Sequence, residues 1–276
     1  DAKWPATLWR ALRPGVPTAR DSRRTLRDRL EQPMAQPEYP RGILQVTGDD
    51  RISFLQNLVT NDISSTGLHY TALLTPQGKF LADFFVLVRE GDILIDVAHT
   101  LQPSLLSRLR MYRLRANVDI EPMECPVNCG LGPVPEGAFP DPRTPAMGWR
   151  AYGVQDSDVI DWKALRVAHI IPETSIELEP DRFILEMGFE RLNGVDFKKG
   201  CYVGQEIVAR MKHKTELRKG LCQVKVSGIT PPGTTIIANE KSAGVIYTQH
   251  DGLALAYLRF DRITDQMTAG DAIVTV

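Results

Sequence analysis

The chain has 276 residues, of which 43% are hydrophobic and 24% are charged, a composition ordinary for a soluble globular protein with a sizeable core. Its formal net charge of −1 gives no global reason to expect nucleic acid or an anionic membrane as a partner. The four cysteines are too few and too scattered for a disulfide framework, and no apolar run approaches the roughly 20 residues of a membrane span, so a reducing compartment is expected.

The first 40 residues differ in composition from the rest of the chain. They are rich in Pro and Arg and show no strand pattern. An Arg-rich start can indicate an organelle transit peptide, but Asp21, Asp28 and Glu31 argue against one. We interpret 1–40 as an N-terminal extension, and the absence of an initial Met as a sign of truncation or processing.

A regular pattern of apolar runs and turns begins at Arg41. Runs bounded by turn residues predict four strands, and apolar residues at helical spacing predict two helices. In chain order these are strand 43–46, helix 52–58, strands 70–74, 80–88 and 93–97, and helix 101–112. The turn 75–79 has Pro76 and Gly78 where a type I turn favours them. It lacks the upstream glycine and the Ser or Thr of a phosphate-binding loop, so we interpret it as a hairpin turn.

Two features of the next segment leave alternatives open. The four arginines in 108–115 form a basic run, which is usually a solvated face and alternatively a surface that binds an anion or a partner protein. From 122 to 148 the chain is rich in Pro and Gly and contains Cys125 and Cys129. Two cysteines without a second pair of ligands are weak evidence for a metal site, and we predict none.

The last part of the chain changes from helical to strand patterns. Apolar spacing predicts a helix at 159–168, and short strands separated by turns follow from Leu217 onward. The predicted strands are 221–226, 234–237, 243–248, 253–258 and 272–276. Several short strands at close spacing are typical of a small antiparallel barrel. We therefore predict a C-terminal β-barrel domain at 217–276, after an α+β core at 41–216 that contains two interwoven domains.

The stretch 194–210 contains the most unusual combination of residues in the chain. Gly200 and Gly204 flank Cys201 and allow a sharp turn, and the residues after Gly204 favour a helix. Cys201 would then lie just before the positive end of a helix dipole, with two lysines behind it, a setting that favours the thiolate form. Two interpretations follow from these residues, a reactive thiolate and a small buried residue in a glycine-rich turn.

The run Lys199-Gly200-Cys201-Tyr202-Val203-Gly204-Gln205-Glu206 resembles the signature of the YgfZ-type folate-binding proteins, relatives of the glycine-cleavage T-protein (aminomethyltransferase). Further segments resemble this family in the same order, so the resemblance covers about 41–276. These segments are 46–49, 54–56, 60–62, 74–79, Asp83, 112–116, 141–143 and 148–150. The resemblance implies an α+β fold like that of the T-protein, with domains around a central opening that can admit tetrahydrofolate and a small barrel closing one side.

The resemblance also implies a function and a set of site residues. Members of the family are linked to the assembly or repair of iron–sulfur clusters, with the motif cysteine, here Cys201, important for function. We expect Cys201 to border the central opening. The residues expected to bind the cofactor are Asp83, Glu186, Lys199, Gly200, Tyr202, Gly204, Gln205, Glu206 and Arg210. We also expect Arg210 to pair with Glu206, four residues before it on the helix.

This chain departs from the T-protein pattern at two acids. T-proteins have two adjacent carboxylates at the first hairpin, where this chain has Ala82-Asp83. They also carry an Arg-Leu-Glu-Ala-Gly run whose glutamate holds the pterin, and the corresponding 166–170 lacks that acid. A carboxylate can accept the adjacent N–H donors of a pterin together, so its loss weakens binding. We therefore expect tetrahydrofolate or another reduced folate to bind weakly.

These observations predict a folate-linked accessory factor for iron–sulfur cluster assembly or repair, not a classical turnover enzyme. Its expected partners are iron–sulfur client proteins or the assembly machinery, with no membrane and no specific nucleic acid. Two alternatives stay open: an aminomethyltransferase that moves a one-carbon unit to tetrahydrofolate, and a non-catalytic module that docks client proteins. The expected location is the bacterial cytoplasm, or the mitochondrial matrix in a eukaryote.

Overall fold

The computed structural model describes residues 39–153, 159–214 and 216–276, and all of their side chains except that of Lys214. The predicted extension, 1–40, lies outside these residues apart from Tyr39 and Pro40. A five-stranded antiparallel sheet forms the first part of the fold, with the strand order β2-β3-β4-β1-β5. Its strands are β1 (Arg41–Thr47), β2 (Gly67–Leu74), β3 (Phe80–Val88), β4 (Ile93–Ala98) and β5 (Asp119–Met123).

Four α-helices lie in the described part of the chain. They are α1 (Arg51–Gln56), α2 (Gln102–Arg113), α3 (Trp162–His169) and α4 (Gln205–Lys214). The side chain of Asp161 caps α3 by accepting a hydrogen bond from the backbone N–H of Ala164 at 2.9 Å, as expected for an N-cap aspartate. The helix α1 ends two residues earlier than predicted, and α4 begins at Gln205, where the composition changes.

Both faces of the five-stranded sheet are buried. Phe84 and Val86 of β3 lie in an apolar cluster with residues of α1 and α2. Phe85 and Leu87 point to the opposite face, where residues of α3, of α4 and of the segment 171–208 cover them. Because successive side chains of a strand alternate between faces, a strand covered on both sides reads as one continuous apolar run, as β3 does.

A second, three-stranded sheet lies in the Pro- and Gly-rich segment that was predicted without elements. Its strands are β6 (Val127–Gly130), β7 (Phe139–Pro140) and β8 (Trp149–Tyr152), in the order β6-β8-β7. The ring of Trp149 lies against Gly130, where an added Cβ would be 2.0 Å from it. None of these short strands shows a periodic apolar pattern, so the sequence carries no local signal for them.

The segment 171–200 contains no helix or strand, yet it is well buried. Backbone hydrogen bonds close a series of turns along it. Its apolar side chains, among them Ile171, Leu178, Met187 and Phe189, are buried in the cluster below β3. This segment carries the chain from α3 to the motif at 199–206.

The C-terminal part is the predicted antiparallel barrel; it is closed and has six strands, of which Met267–Ala269 was not predicted. Its strands run in the order β10-β11-β12-β9-β14-β13. They are β9 (Lys219–Ser227), β10 (Thr235–Ala238), β11 (Lys241–His250), β12 (Leu253–Arg259), β13 (Met267–Ala269) and β14 (Ala272–Thr275). A separate apolar cluster fills the barrel. Among the described residues, no helix has the length and apolar character needed to cross a membrane.

Candidate functional site

The motif turn, residues 199–204, is anchored by Lys199. Its Nζ donates hydrogen bonds to the carbonyl oxygens of Gln56 at 2.8 Å, Val59 at 2.6 Å and Asn61 at 2.9 Å. These carbonyls lie at and just after the end of α1, where helix carbonyls lack partners within the helix and the dipole is negative. Burial lowers the pKa of Lys199 to about 8, so the amine stays mostly charged at neutral pH. Lys199 thus fastens the motif turn to α1, and its three N–H groups are all engaged in doing so.

Of the two glycines that flank Cys201, only Gly204 has to be glycine. Gly204 has a φ of +85°, and a Cβ there would lie 2.7 Å from the carbonyl oxygen of Thr75. At Gly200 the φ is not positive, and an added Cβ would meet no atom within 4 Å. The motif turn therefore packs against the hairpin turn 75–79 at Gly204. Gly200 permits the turn, as expected, but the conformation there does not require glycine.

Cys201 and Tyr202 point in opposite directions. The side chain of Tyr202 is buried, and burial raises its pKa to about 12. Cys201 is exposed and lies four residues before the first residue of α4. The exposure of Cys201 excludes the interpretation as a small buried residue. The turn thus holds a thiol at the surface between an anchored lysine and an anchored tyrosine.

The other three cysteines lie in different surroundings. Cys129 is buried, and Cys125 and Cys222 are partly buried. Burial raises the pKa of all three thiols, that of Cys222 to about 11. A thiol with a raised pKa forms less thiolate, which is the form that reacts and binds metals. Among the four cysteines, Cys201 is the one presented to solvent.

The first turn of α4 closes back on the motif, but its predicted ion pair is absent. Gln205 Nε2 donates a long hydrogen bond of 3.5 Å to the carbonyl oxygen of Gly200. Glu206 is exposed in the first turn of the helix. Although both side chains are described, no ion pair joins Glu206 and Arg210, so that prediction is wrong. Arg210 instead lines a groove beside α4.

A second cluster of charged residues surrounds the ring of Phe85, at some distance from the motif turn. The guanidinium carbon of Arg150 lies 4.0 Å from the centre of this ring, that of Arg143 4.9 Å and that of Arg41 5.8 Å. These three residues and Arg166 line a cavity of about 40 Å³, which we call the arginine cavity. Cys201 is not part of its lining, and the expectation that Cys201 borders a central opening stays a prediction.

Buried carboxylates neutralise the arginines of this cavity. Asp96 is fully buried and accepts hydrogen bonds from Arg41 Nε at 2.6 Å and Arg150 Nη1 at 2.8 Å. The hydroxyl of Tyr152 also donates to Asp96, at 3.1 Å. One carboxylate therefore holds two guanidinium groups, an arrangement that offsets the cost of burying all three charges.

The other two arginines have one carboxylate each. Arg143 pairs with Asp141 at 2.8 Å, and this pairing lowers the pKa of Asp141 although burial alone would raise it. Arg166 pairs with Glu177 at 3.2 Å, and both side chains are almost completely buried. With its arginines paired in this way, the cavity has no large surplus of positive charge.

Two further acids line the cavity without an ion pair in the described part of the chain. Asp83 accepts hydrogen bonds from the hydroxyl of Tyr70 at 2.9 Å and from the hydroxyl of Thr174. Burial raises the pKa of Glu173; Arg41 opposes this change and the carboxylate of Asp83 adds to it. Glu173 therefore holds a proton more readily than an ordinary glutamate does.

The arginine cavity does not fit a pterin ring as it stands. A volume of about 40 Å³ is enough for a few water molecules, whereas ligand pockets usually exceed about 300 Å³. Both carboxylate oxygens of Asp83 already accept hydrogen bonds. Ala82 is buried on the opposite face of the sheet and Ala168 is exposed, so neither of the two positions where the transferase pattern has an acid contributes to the lining of the cavity. With about 40 Å³ of space and both oxygens of Asp83 engaged, the cavity as it stands opposes tight binding of a pterin.

A larger groove lies where α4 meets the beginning of the barrel. Its volume is about 410 Å³, and we call it the junction groove. Its lining residues are Phe183, Glu186, Ile207, Arg210, Met211, Leu217, Arg218, Lys219 and Arg259. Glu186 is buried and accepts a hydrogen bond from the hydroxyl of Tyr257. The structure thus separates Glu186 and Arg210 from Asp83, with which they were expected to form one site.

The predicted site residues therefore lie in three places: at the motif turn, in the arginine cavity and in the junction groove. In the described part of the chain there is no cluster of three or more His, Cys, Asp or Glu side chains able to hold a metal ion. The sequence did not predict Glu173 as a lining residue of the arginine cavity, or Asp96 as the acid that holds two of its arginines. Arg143 and Arg150 lie within segments noted for their resemblance, which is the signal that could have identified them.

Comparisons with known proteins agree with this architecture. Residues 218–276 match the family model described as the CAF17, C-terminal beta-barrel domain. The crystal structure of the glycine cleavage system aminomethyltransferase T from Bartonella henselae superposes with a TM-score of 0.67, covering 85% of this chain and 81% of that one at 12% sequence identity. At that identity the match concerns the fold alone, and it confirms the predicted T-protein fold.

Relatives with higher sequence identity carry one name. The chain is 29% identical over 272 residues to the human mitochondrial iron–sulfur cluster assembly factor IBA57, covering 81% of this chain and 76% of that protein. It is 30% identical over 274 residues to the mouse protein, again covering 81% and 76%. The homolog from Mycosarcoma maydis is 28% identical over 233 residues, which cover 70% of this chain and 58% of that protein. The predicted YgfZ-type assignment is not confirmed, since that family is only a related one, and the chain belongs to the family of the iron–sulfur cluster assembly factor IBA57.

Proposed function

We propose that this protein is an iron–sulfur cluster assembly factor that acts through Cys201. The observation that carries the proposal is the contrast within the motif turn: Cys201 is exposed, while Lys199 and Tyr202 on either side are buried and Gly204 is packed on the hairpin turn. A cysteine without a specific role at the surface would not require buried and packed residues on both sides to hold it in place. The relatives are named iron–sulfur cluster assembly factors, which supplies the cargo.

The chemistry of the proposal follows from the nature of a thiolate. Thiolates are the preferred ligands of iron in iron–sulfur clusters, and such clusters are usually held by four of them. Cys201 belongs to no group of potential metal ligands in the described part of the chain, so it offers one ligand to a cluster. The remaining ligands then come from a partner protein. A shared cluster of this kind suits assembly or transfer, since either partner can leave without a complete site of its own.

The rigid turn has a physical purpose in this proposal. Fixing Lys199 and Gly204 removes conformational freedom from Cys201 before the partner arrives. A ligand that is already ordered loses less entropy on binding, so the complex gains affinity without additional contacts. The partner is a member of the assembly machinery or an iron–sulfur client protein. The relatives are named mitochondrial, so the matrix is the proposed location in a eukaryote and the cytoplasm in a bacterium.

Tetrahydrofolate enters the proposal only as a weak ligand. Asp83 keeps one acceptor of the transferase pattern, but the small volume of the arginine cavity and the paired arginines oppose tight binding. We expect a dissociation constant of about 1 μM or weaker, which corresponds to roughly −8 kcal/mol or less favourable. Titration calorimetry with tetrahydrofolate measures it directly.

The aminomethyltransferase alternative rests on the fold. A transferase needs a general base and a pterin anchor, and the positions that hold these acids in the transferase pattern are Ala82 and Ala168 here. We therefore expect no release of methylenetetrahydrofolate from an aminomethylated carrier. Steady turnover in that assay would favour the transferase over the assembly factor.

The test of the proposal compares two cysteine variants. Cys201→Ser keeps the size of the side chain and removes the soft sulfur, and Cys125→Ser makes the same change at a partly buried cysteine outside the motif. Each variant is expressed in cells that lack their own copy of the protein, and the activity of cluster-containing enzymes is measured. We expect Cys201→Ser to abolish support of these enzymes and Cys125→Ser to retain it, with both proteins folded by circular dichroism. Full support by Cys201→Ser would favour the non-catalytic docking module.

A further inference from the structure

We propose that the junction groove binds an acidic peptide segment with apolar side chains, supplied by the partner protein. The inference rests on the proposed function for the identity of that partner, but not for the binding itself. Nothing in the proposed role of Cys201 uses this groove, which lies along α4 and the start of the barrel.

The rim of the groove carries a surplus of positive charge. Four of its lining residues are cationic: Arg210, Arg218, Lys219 and Arg259. Arg259 pairs with Asp261 at 3.2 Å. Arg210 and Arg218 are exposed, and neither forms an ion pair within the described part of the chain. Both guanidinium groups are therefore free to meet carboxylates of a partner, and Arg binds these with two parallel hydrogen bonds.

The single acid of the lining does not cancel this charge. Glu186 is buried at the base of the groove, and its carboxylate accepts a hydrogen bond from the hydroxyl of Tyr257. The guanidinium carbon of Arg182 lies 4.0 Å from the centre of the Tyr257 ring on the side of the barrel. Glu186 is thus part of a local network, and the exposed rim stays positive.

The floor of the groove is apolar. Ile207 and Met211 are one turn apart on α4, and Phe183 and Leu217 complete the floor. On α4, Ile207, Arg210 and Met211 have the spacing that places three side chains on one helix face. A methionine in such a floor adapts to side chains of different shape. Apolar side chains between acidic ones fit this combination of floor and rim.

The groove and the motif turn share a common support, the hairpin turn 75–79. Gly204 of the motif turn packs on the hairpin turn 75–79. Lys79 of the same turn pairs with Phe183 of the groove, and its Nζ lies 3.6 Å from the centre of the Phe183 ring. Along α4, the six residue-to-residue rises from Gln205 to Met211 add up to about 9 Å. Roughly three extended residues of a partner cover this length of α4.

A peptide suits the groove better than a small anion or a nucleic acid. The four cations come from three separate elements, α4, the residues before β9 with its start, and the end of β12, so they do not converge on one point. Several carboxylates spaced along a chain match such a rim. The net charge of −1 for the whole chain gives no long-range attraction for a polyanion such as nucleic acid.

The binding test uses a defined probe. The probe is a fluorescein-labelled peptide, Asp-Leu-Glu-Phe-Asp-Leu-Glu-amide, and its binding to the full chain is followed by fluorescence polarisation at low and at physiological salt. A second peptide carries lysine at each acidic position, and a labelled oligothymidine serves as the nucleic-acid probe. We expect the acidic peptide to bind at least about tenfold more tightly than either comparison probe, and less tightly as salt increases. Equal binding of the lysine peptide, tighter binding of oligothymidine, or no binding of the acidic peptide would overturn the inference.

Charge-reversal variants locate the binding. The double variant R210E/R218E changes two exposed side chains of the groove, and R108E/R115E makes the same change in net charge on the basic segment 108–115. We expect R210E/R218E to weaken binding of the acidic peptide about tenfold and R108E/R115E to leave it within about twofold. An equal effect of both variants would mean that general charge, not the groove, attracts the peptide.

A third variant separates this inference from the proposed function. Cys201→Ser should bind the acidic peptide as tightly as the wild type does, because Cys201 does not line the groove. If the peptide fails to bind while Cys201→Ser still loses support of cluster enzymes, the groove assignment is wrong and the proposed function stands. If the peptide binds and Cys201→Ser supports the enzymes fully, the reverse holds.

Discussion

Replacement of Lys199 by methionine should loosen the motif turn and weaken the fold by a predictable amount. The wild-type ammonium group donates to three backbone carbonyls, at 2.6 to 2.9 Å. A buried carbonyl left without a donor costs about 1–3 kcal/mol, and the variant no longer buries a charge, which offsets part of that loss. We therefore expect the free energy of unfolding to fall by about 3 kcal/mol, which corresponds to a drop in melting temperature of roughly 6–12 °C for a chain of this size.

Lys198→Met is the matched control. Lys198 is adjacent and exposed, and its side chain has no hydrogen bond or ion pair among the described residues, so its replacement should change the stability by no more than about 0.5 kcal/mol. Urea denaturation of the three proteins gives the free energies, and alkylation of Cys201 by limiting iodoacetamide reports how the turn presents its thiol. If Lys199→Met is as stable as Lys198→Met, the three hydrogen bonds do not anchor the turn.

Three further outcomes follow from the same structure. Gly204→Ala should destabilise the protein by about 2–4 kcal/mol, because Gly204 has a φ of +85° and a Cβ there would contact Thr75. Gly200→Ala is the control and should change the stability by less than about 1 kcal/mol. Equal effects of the two variants in thermal melts would contradict this. Burial lowers the pKa of Lys199 to about 8, whereas a lysine in the unfolded chain titrates near 10.4, so the unfolded chain binds more protons between these two pH values. The stability advantage of the wild type over Lys199→Met should therefore grow as the pH rises through this range. If the advantage shrinks instead, the hydrogen bonds to the carbonyls outweigh burial in setting this pKa. Because burial raises the pKa of Glu173, the native state binds more protons than the unfolded state above the ordinary glutamate pKa, so wild-type stability falls as the pH rises through this range. Glu173→Gln should therefore be more stable than the wild type at neutral pH, and the difference should vanish in acid. A variant that is less stable than the wild type in pH-dependent denaturation would refute this.

The parts of the fold that the sequence predicts well are those with local signals. The strand β3 is an uninterrupted apolar run, and α4 begins at the residue after Gly204, where a positive φ ends the turn. The barrel strands alternate with turn residues over short distances. Each of these elements is determined by neighbouring residues, and periodicity or turn chemistry reveals it.

The arginine cavity could not be predicted in this way. Arg41 and Arg150 meet at Asp96, although they are 55 and 54 residues away from it along the chain. Arginine and aspartate are usually exposed, so sequence alone predicts a surface position for them unless a buried partner is known. Only the pairing of β1 with β4, and the position of β8 in its own sheet, bring the three together.

A single site was predicted from the sequence because the family resemblance assigns all of the candidate residues to one cofactor-binding site. Lys199, Tyr202 and Gly204, which are close together in the sequence, do share the motif turn. Asp83 and Glu186, which are far apart in sequence, lie in two different cavities. Spacing along the chain identified the motif turn, and it carried no information about which cavity each of the two distant acids would line.

The claim that Cys201 contacts the cluster is tested most directly by blocking that thiol in the native protein. Limiting iodoacetamide is added to the wild-type protein, and peptide mass spectrometry identifies a fraction alkylated at Cys201 alone. This fraction and untreated protein are added to extracts of cells that lack the protein, and recovery of a cluster-dependent enzyme is measured. Because Cys201 is exposed and the other thiols are at least partly buried, we expect it to react first and the alkylated protein to restore no enzyme activity. Full recovery with protein alkylated at Cys201 would contradict the proposed role.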